Sequence, residues 1–240
     1  MRKMAPLSTP RTAARKRQLA ATPAQLLDAA ERLFAENGID HVSTREIVRA
    51  SGQSNLSAAL YHFGTREAMV KALLERRLRT LNEMRHQRLD QLVASGRSDS
   101  IHAIVTTTVD VLAGAVESMA WGPDYVRVAA QVLFSPRAQG LFSRRTHGPS
   151  LVDRDVMSGN QRCAAMLRRL LPSLPSRVFD DRIMIMSTET TYSIAGWIQI
   201  HRQVTASNRR NFGALIRTTS DFLAAGVAAP IGEPAGVKRR

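Results

Sequence analysis

Asn55, Ser57, Ala58, Tyr61, His62 and Arg66 follow one another closely in the chain, and their types suit one chemistry, the reading of a nucleic acid. An Asn side chain can pair with an adenine edge, a Ser hydroxyl can reach either base type, and an Ala methyl can touch the methyl of thymine. The phenol, imidazole and guanidinium that come next are donors suited to phosphate oxygens. Upstream, Ser43 and Thr44 open a helix and offer hydroxyls and backbone N–H groups to a further phosphate. Catalysis has no comparable set. His41, His62, His86, His102, His147 and His201 form no metal-spaced pair. Asp153 and Asp155 are too isolated for general acid–base work. No Gly-rich phosphate loop is present, so the expectation is no enzyme, no metal and no cofactor.

A recognition helix must be short, with small or hydrogen-bonding residues outward, so that it can sit deep in a major groove. The flanking sequence provides such a frame. Thr22 can cap a helix, Pro23 suits its first position, and Gln25 completes a capping box. Leu26, Leu27, Ala30, Leu33 and Phe34 then share one face, and Gly38 ends the helix. Ser43-Thr44-Arg45-Glu46 is a second capping box and opens a short helix with Ile47, Val48 and Ala50 inward. Gly52 stops it. Ser54 caps a third short helix through Tyr61, Gly64 breaks that one, and Thr65 caps a fourth. Two short helices joined by a tight turn read as a helix-turn-helix.

The fourth helix is long, Arg66 to about Val93. Its apolar residues recur at Met69, Leu73, Leu74, Leu78, Leu81, Met84, Leu89 and Leu92. Its other faces carry Arg76, Arg77, Arg79, Arg85 and Arg88; Arg76, Arg77 and Arg79 read as a solvated face with packing stems. Helical patterns continue to about 226, punctuated by Gly122-Pro123, Ser135-Pro136, Gly148-Pro149, Pro172 and Pro175. No stretch alternates long enough for a strand. The expected fold is all-α with about nine helices: a flexible basic arm over 1–20, a helix-turn-helix domain over 21–66, a helical regulatory and dimerisation domain over 67–228, and a disordered basic tail over 229–240.

The 240 residues are enough to bury a core without staples. One cysteine, Cys163, excludes a disulfide framework, and its apolar helical setting makes it a buried structural thiol. Lys and Arg total 34 against 20 acids, a formal +14, which calls for a polyanionic partner. Arg2, Lys3, Arg11, Arg15, Lys16 and Arg17, with no acid among them, would extend the contact as an arm. No apolar run approaches the roughly 18 residues of a spanning helix, so a cytoplasmic protein is expected.

Tyr61-His62-Phe63-Gly64-Thr65-Arg66-Glu67, with Thr44-Arg45-Glu46-Ile47-Val48-Arg49-Ala50 and the helix from Thr22, resembles the DNA-binding domain of TetR-type transcriptional repressors over roughly residues 20–80. The resemblance implies a homodimer on a palindromic double-stranded DNA operator, and a C-terminal domain that binds a small-molecule effector and releases DNA. It assigns phosphate contacts to Tyr61, His62, Arg66, Ser43 and Thr44, and a base-facing position to Ser57. Three departures bear on the fit. One extra residue separates Gly52 from Tyr61, Gln53 stands at a usually apolar turn position, and Leu60 replaces a frequent tyrosine. The register of Gln53, Ser54 and Asn55 on DNA is left open by them.

For the effector, the candidate lining residues are Met119, Trp121, Tyr125, Phe134, Met157, Thr188, Thr191, Tyr192 and Trp197, each of which could equally be ordinary core. No acid cluster marks a pocket for cations, so an apolar or weakly polar ligand is expected. Small and apolar residues late in the chain, Ile194, Ala195, Gly196 and Ile198, then Ala214, Leu215, Thr218 and Phe222, would form a helix-packed dimer contact, as the resemblance implies; the bland alternative is packing within the subunit. Two rival classes stand beside the regulator. One is a helical enzyme or carrier for an acidic small molecule. The other is a membrane-surface protein using Arg76–Arg88, against which Glu67, Glu75, Glu83 and Asp90 interrupt the basic face.

Overall fold

The computed structural model describes residues 23–52, 63–134 and 152–232, with the side chain of Phe134 excepted. It is all-α, with eight α-helices and no strand among the described residues. The helices are α1 (Pro23–Asn37), α2 (Thr44–Ala50), α3 (Arg66–Ala94), α4 (Ile101–Ser118), α5 (Gly122–Phe134), α6 (Ser158–Leu170), α7 (Ser176–His201) and α8 (Arg209–Ala228). Short 3-10 turns occupy Ile39–His41 and Arg154–Met157. The expected cap at Thr22, the helix from Ser54 to Tyr61, the basic arm and most of the tail lie outside the described residues. The described residues form two compact units, divided between Leu73 and Leu74 within α3.

In the first unit, α1 buries the face set by its 3.6-residue period. Leu26, Ala30 and Phe34 are at most 1% exposed, and burying each of the larger two stabilises by about 1.5–3 kcal/mol. Gly38 turns the chain at φ 91°, a conformation that glycine adopts without a Cβ clash. Its amide donates to the Phe34 carbonyl at 3.0 Å, closing the last turn of α1. α2 packs on α1 through Ile47 and Val48.

In the second unit, α4 is the central helix and packs against α5, α6, α7 and α8. Its sequence is apolar nearly all round, as a helix in that position requires. Its buried threonines are satisfied locally. Thr107 donates to the Ala103 carbonyl at 2.9 Å, and Thr108 donates to Cys163 Sγ at 3.6 Å. Cys163 is buried, as its apolar setting implied, and desolvation raises its thiol pKa against the weaker opposing effect of the Thr108 hydrogen bond. α5 begins where α4 comes close: a Cβ on Gly122 would overlap the carbonyl of Ala115 and Cα of Val116. The carbonyl ends of α8 are gathered by Arg182 of α7, which donates to Val227 at 2.9 Å and also to Ala229.

Candidate nucleic-acid interface and ligand cavity

In the first unit, Ser43-Thr44-Arg45-Glu46 folds as the capping box its spacing predicts. The Glu46 amide donates to Ser43 Oγ at 3.3 Å, and the Ser43 amide donates to Glu46 Oε2 at 2.8 Å. The Ser43 hydroxyl donates to the same carboxylate oxygen at 2.7 Å. Those bonds from the Ser43 backbone and side chain hold the Glu46 carboxyl below its ordinary range. Ser43 is exposed and Thr44 half-buried at the start of α2.

Gly52, with φ 78°, ends the described part of the turn after α2. At the other side of the motif, Gly64 has φ 66° and Thr65 caps α3, its Oγ1 accepting from the Ala68 amide at 3.1 Å. Arg66 donates one N–H to the Asp40 carbonyl at 3.1 Å, which fixes the side chain while its other donors keep no partner among the described residues. Ser54, Asn55, Ser57, Ala58, Tyr61 and His62, expected to meet bases and phosphates, lie outside the described residues.

In the second unit, α3, α4, α5, α6 and α7 line a partly open cavity of about 80 Å³. Its walls are mainly aliphatic: Leu74, Leu78 and Leu81 of α3, Leu112 of α4, Val132 and Leu133 of α5. Polar groups enter from Thr108, Tyr125, Asn160, Ser187, Thr190 and Thr191. The Thr190 and Thr191 hydroxyls donate back to the Met186 and Ser187 carbonyls at 2.7 and 3.1 Å, which is how α7 tolerates them.

Of the expected lining residues, Tyr125, Met157 and Thr191 face this cavity. Met119 caps the end of α4. Trp121 stands beside the cavity wall, edge-on to Tyr125 at 5.8 Å and beneath the Arg77 guanidinium at 4.7 Å. Thr188 does not line it, and Tyr192 donates its hydroxyl proton to the Ala130 carbonyl at 3.2 Å. Trp197 stacks with His201 and Phe212. The Phe134 side chain lies outside the described residues.

Two arginines of the long helix are buried: Arg77, expected on a solvated face, and Arg85, expected off the apolar stripe. Arg77 is 8% exposed because its guanidinium covers Trp121. Arg85 is 6% exposed and lines the cavity. The signal was present in the spacing: Arg85 falls on the apolar stripe Leu74, Leu78, Leu81, Leu89, Leu92, four residues from a leucine on each side.

The late-chain residues expected at a dimer contact divide into two groups. Ile194 and Ile198 are fully buried and Ala195 nearly so, inside their own unit, because they lie on the face of α7 that packs on the core. Gly196, Ala214, Thr218 and Phe222 are exposed and Leu215 is half-buried, with Phe222 71% exposed and Ile200 of α7 77% exposed. No helix among the described residues is long and apolar enough to cross a membrane.

Residues 26–73 match the model of the tetR family of bacterial regulatory proteins. The HTH-type transcriptional repressor KstR2 of Rhodococcus jostii (strain RHA1) is 34% identical over 106 residues, which are 43% of this chain and 49% of that protein. The chain thus matches about half the length of this relative. Among solved structures, the transcriptional regulator FadR of Bacillus subtilis, in complex with stearoyl-CoA, aligns with 85% of this chain and 99% of its own at a TM-score of 0.54 and 14% identity. A tetR family transcription regulator from Shewanella sp. PV-4 aligns with 84% and 95%, at a TM-score of 0.54 and 18% identity. At these identities the structural likeness bears on the fold.

Proposed function

We propose, for a chain whose residues 26–73 match the model of the tetR family of bacterial regulatory proteins, that it is a ligand-responsive transcriptional repressor rather than an enzyme. The observation that carries this reading is the family match over the segment holding the Ser43–Glu46 box and the capped start of α3 at Arg66. In this reading Thr44, Tyr61, His62 and Arg66 hold phosphates, and Ser54, Asn55, Ser57 and Ala58 meet base edges; Ser43, whose amide and hydroxyl both donate to Glu46, places the start of α2 instead. A homodimer places two recognition helices on a palindromic operator, one helical turn apart. The exposed Gly196, Ile200, Ala214, Thr218 and Phe222 supply the twofold contact, since exposed apolar and small residues on two helices suit close helix packing.

The effector occupies the cavity of the second unit. To act as an inducer it must bind the DNA-free state more tightly than the DNA-bound state. A tenfold loss of operator affinity needs about 1.4 kcal/mol of coupling, and DNA must weaken effector binding by the same factor. α3 is the covalent route for that coupling, since it starts at Arg66 and lines the cavity with Leu74, Leu78 and Leu81.

Selection from random duplex DNA, followed by a salt titration, tests the reading. A palindrome is expected to emerge. With about four phosphates neutralised per subunit, log affinity should fall against log salt with a slope near −7 for the dimer. Equal affinity for all duplexes would refute a specific regulator. Replacing Gly196 or Ala214 by a bulky charged residue should yield monomers that no longer bind the operator; light scattering that still reports dimers would move the interface elsewhere.

A further inference from the structure

Four side chains among the described residues hold a buried polar atom without a hydrogen-bond partner: Arg85, Arg127, Asn160 and Ser220. Two of these, Arg85 and Asn160, line the cavity. Arg85 differs from the other buried arginines of its unit. Arg127 donates to the Ile198 carbonyl at 3.1 Å and lies 3.9 Å from Asp124, and Arg77 covers Trp121 at 4.7 Å. Arg85 has no hydrogen bond or ion pair with any described residue.

Among the described residues its surroundings offer no counter-ion, and no Asp or Glu lines the cavity. The titratable groups that act on Arg85 are the buried Cys163 thiol and the Tyr125 phenol, neither of them a carboxylate. Desolvation therefore lowers the guanidinium pKa, with those two groups opposing weakly. The segment 135–151, outside the described residues, contains no acid, and neither do residues 1–22 or 53–62; Glu233 is the one acid beyond the described residues. A guanidinium stays protonated at physiological pH, and a buried charge without a partner is strongly destabilising. An arginine kept in that state beside open space is set for an anion that comes from outside the chain.

We propose that the cavity binds a small organic anion, a carboxylate or phosphate monoester with an aliphatic body. Arg85 clamps the acidic head, whose two oxygens match the planar fork of the guanidinium. Leu74, Leu78, Leu81 and Leu112 surround the body. Asn160 Oδ1, the unpartnered acceptor in the same wall, takes any hydroxyl or N–H donor the ligand carries. This names the effector class within the regulator reading and rests on that reading for its physiological role, though not for the binding itself. It also refines the expectation of an apolar ligand: the walls are apolar, and the recognition point is a cation.

Calorimetric titration of the full chain with hexanoate, hexyl phosphate, 1-hexanol and hexylamine tests the proposal without DNA. One or both anions should bind at least tenfold more tightly than the alcohol, and the amine should not bind measurably. Whichever anion binds more tightly identifies the head group. In Arg85→Met the preference for anion over alcohol should vanish while the alcohol still binds, and Arg85→Lys should keep a reduced preference. Without any probe, Arg85→Met should melt at the same temperature as the parent or higher, because an unpaired buried charge is gone. Equal binding of alcohol and anion, no saturable anion binding, an anion preference that survives Arg85→Met, or a lower melting temperature in that variant would each overturn it. Anion binding through Arg85 in a chain that selects no DNA would keep the anion site and remove the regulator reading; operator binding without anion binding would do the reverse.

Discussion

The two units handle their polar groups in opposite ways. In the first, Ser43, Glu46, Thr65 and Arg66 sit at helix starts and are tied to near neighbours, and every tie but one spans three residues or fewer. In the second, all the buried side-chain atoms without partners among the described residues are found, and two of their four residues meet at one cavity. If the first unit reads phosphates as proposed, its caps serve by fixing the helix starts and not by offering their own donors, which in Ser43 are spent on Glu46. A cavity that takes a ligand has to leave something for the ligand to satisfy. On the proposed reading the two units thus carry different traces: capped helix starts in the first, and in the second the orphaned atoms of Arg85 and Asn160 at the cavity, whereas those of Arg127 and Ser220 lie away from it.

If the units differ so in design, they should also differ in response to damage, and core truncation is the largest effect. Phe34 and Phe212 are both fully buried. Phe34→Ala and Phe212→Ala should each cost about 3–5 kcal/mol. Phe34→Ala should abolish DNA binding and leave the calorimetric binding of hexanoate or hexyl phosphate in place. Phe212→Ala should weaken the anion first. Scanning calorimetry with the two binding assays reads this out. Disappearance of both activities together in either variant would merge the two units into one cooperative body.

The same contrast explains what the sequence made legible. The Ser43–Glu46 box, the glycine at 38 and the long helix from Arg66 were readable because each is a local signal, decided within a few residues of itself. The cavity is built from five helices, and its residues run from Leu74 to Thr191, so no window of sequence contains it. Aromatic residues were a mixed guide: Tyr125 lines the cavity, but Trp197 and Tyr192 serve packing and a carbonyl contact, and most of the apolar wall is leucine. Ile194 and Ile198 look the same in sequence as the exposed Ile200, and only the rotation of α7 separates core from surface. Arg85 was hidden by its type, since an arginine on a long helix reads as solvated until its place in the leucine stripe is counted.

Thr191→Trp fills the cavity from α7 and probes the ligand side alone. It should abolish release of DNA by the anion while leaving operator affinity near that of the parent, measured by operator titration with and without hexanoate. Arg66→Ala is the matching change in the first unit. It should weaken binding to all duplexes alike and make the salt slope shallower by about 1 for each phosphate that the side chain no longer neutralises. If Arg66→Ala altered base preference and spared nonspecific affinity, Arg66 would be a base reader.

Two glycines give a smaller effect and test close packing within the second unit alone. Gly122→Ala sets a methyl against the backbone of Ala115 and Val116, which cannot yield as a side chain could, and overpacking of this kind costs about 1–3 kcal/mol. Gly196→Ala meets nothing within 4 Å and should stabilise the subunit by about 0.5–1 kcal/mol through helix propensity. Chemical denaturation of dilute protein measures both. A destabilising Gly196→Ala would mean that something in the assembled protein already occupies that open space.

The smallest effect separates the units by the sign of their pH dependence. Glu46 has its carboxyl pKa lowered, chiefly by hydrogen bonds from Ser43. Its contribution is present above the ordinary carboxylate range and is lost as pH falls through the lowered folded value. Asp110 of α4 is shifted the other way. Desolvation raises its pKa, and Arg88 at 3.4 Å offsets this only in part. Its contribution is present below the ordinary range and is lost as pH rises through the raised folded value. At neutral pH, then, Glu46→Gln should lower the melting temperature and Asp110→Asn should raise it, each slightly. The Glu46→Gln difference should shrink as acid protonates Glu46 in the parent. The Asp110→Asn difference should shrink too, because the parent Asp110 is by then a neutral carboxyl. Melting temperatures recorded from pH 3 to 7 for the parent and both variants give two difference curves of opposite sign that converge in acid. Curves of the same sign would show that Arg88, rather than desolvation, governs the half-buried Asp110, and that this edge of α4 is satisfied from within as the caps of the first unit are.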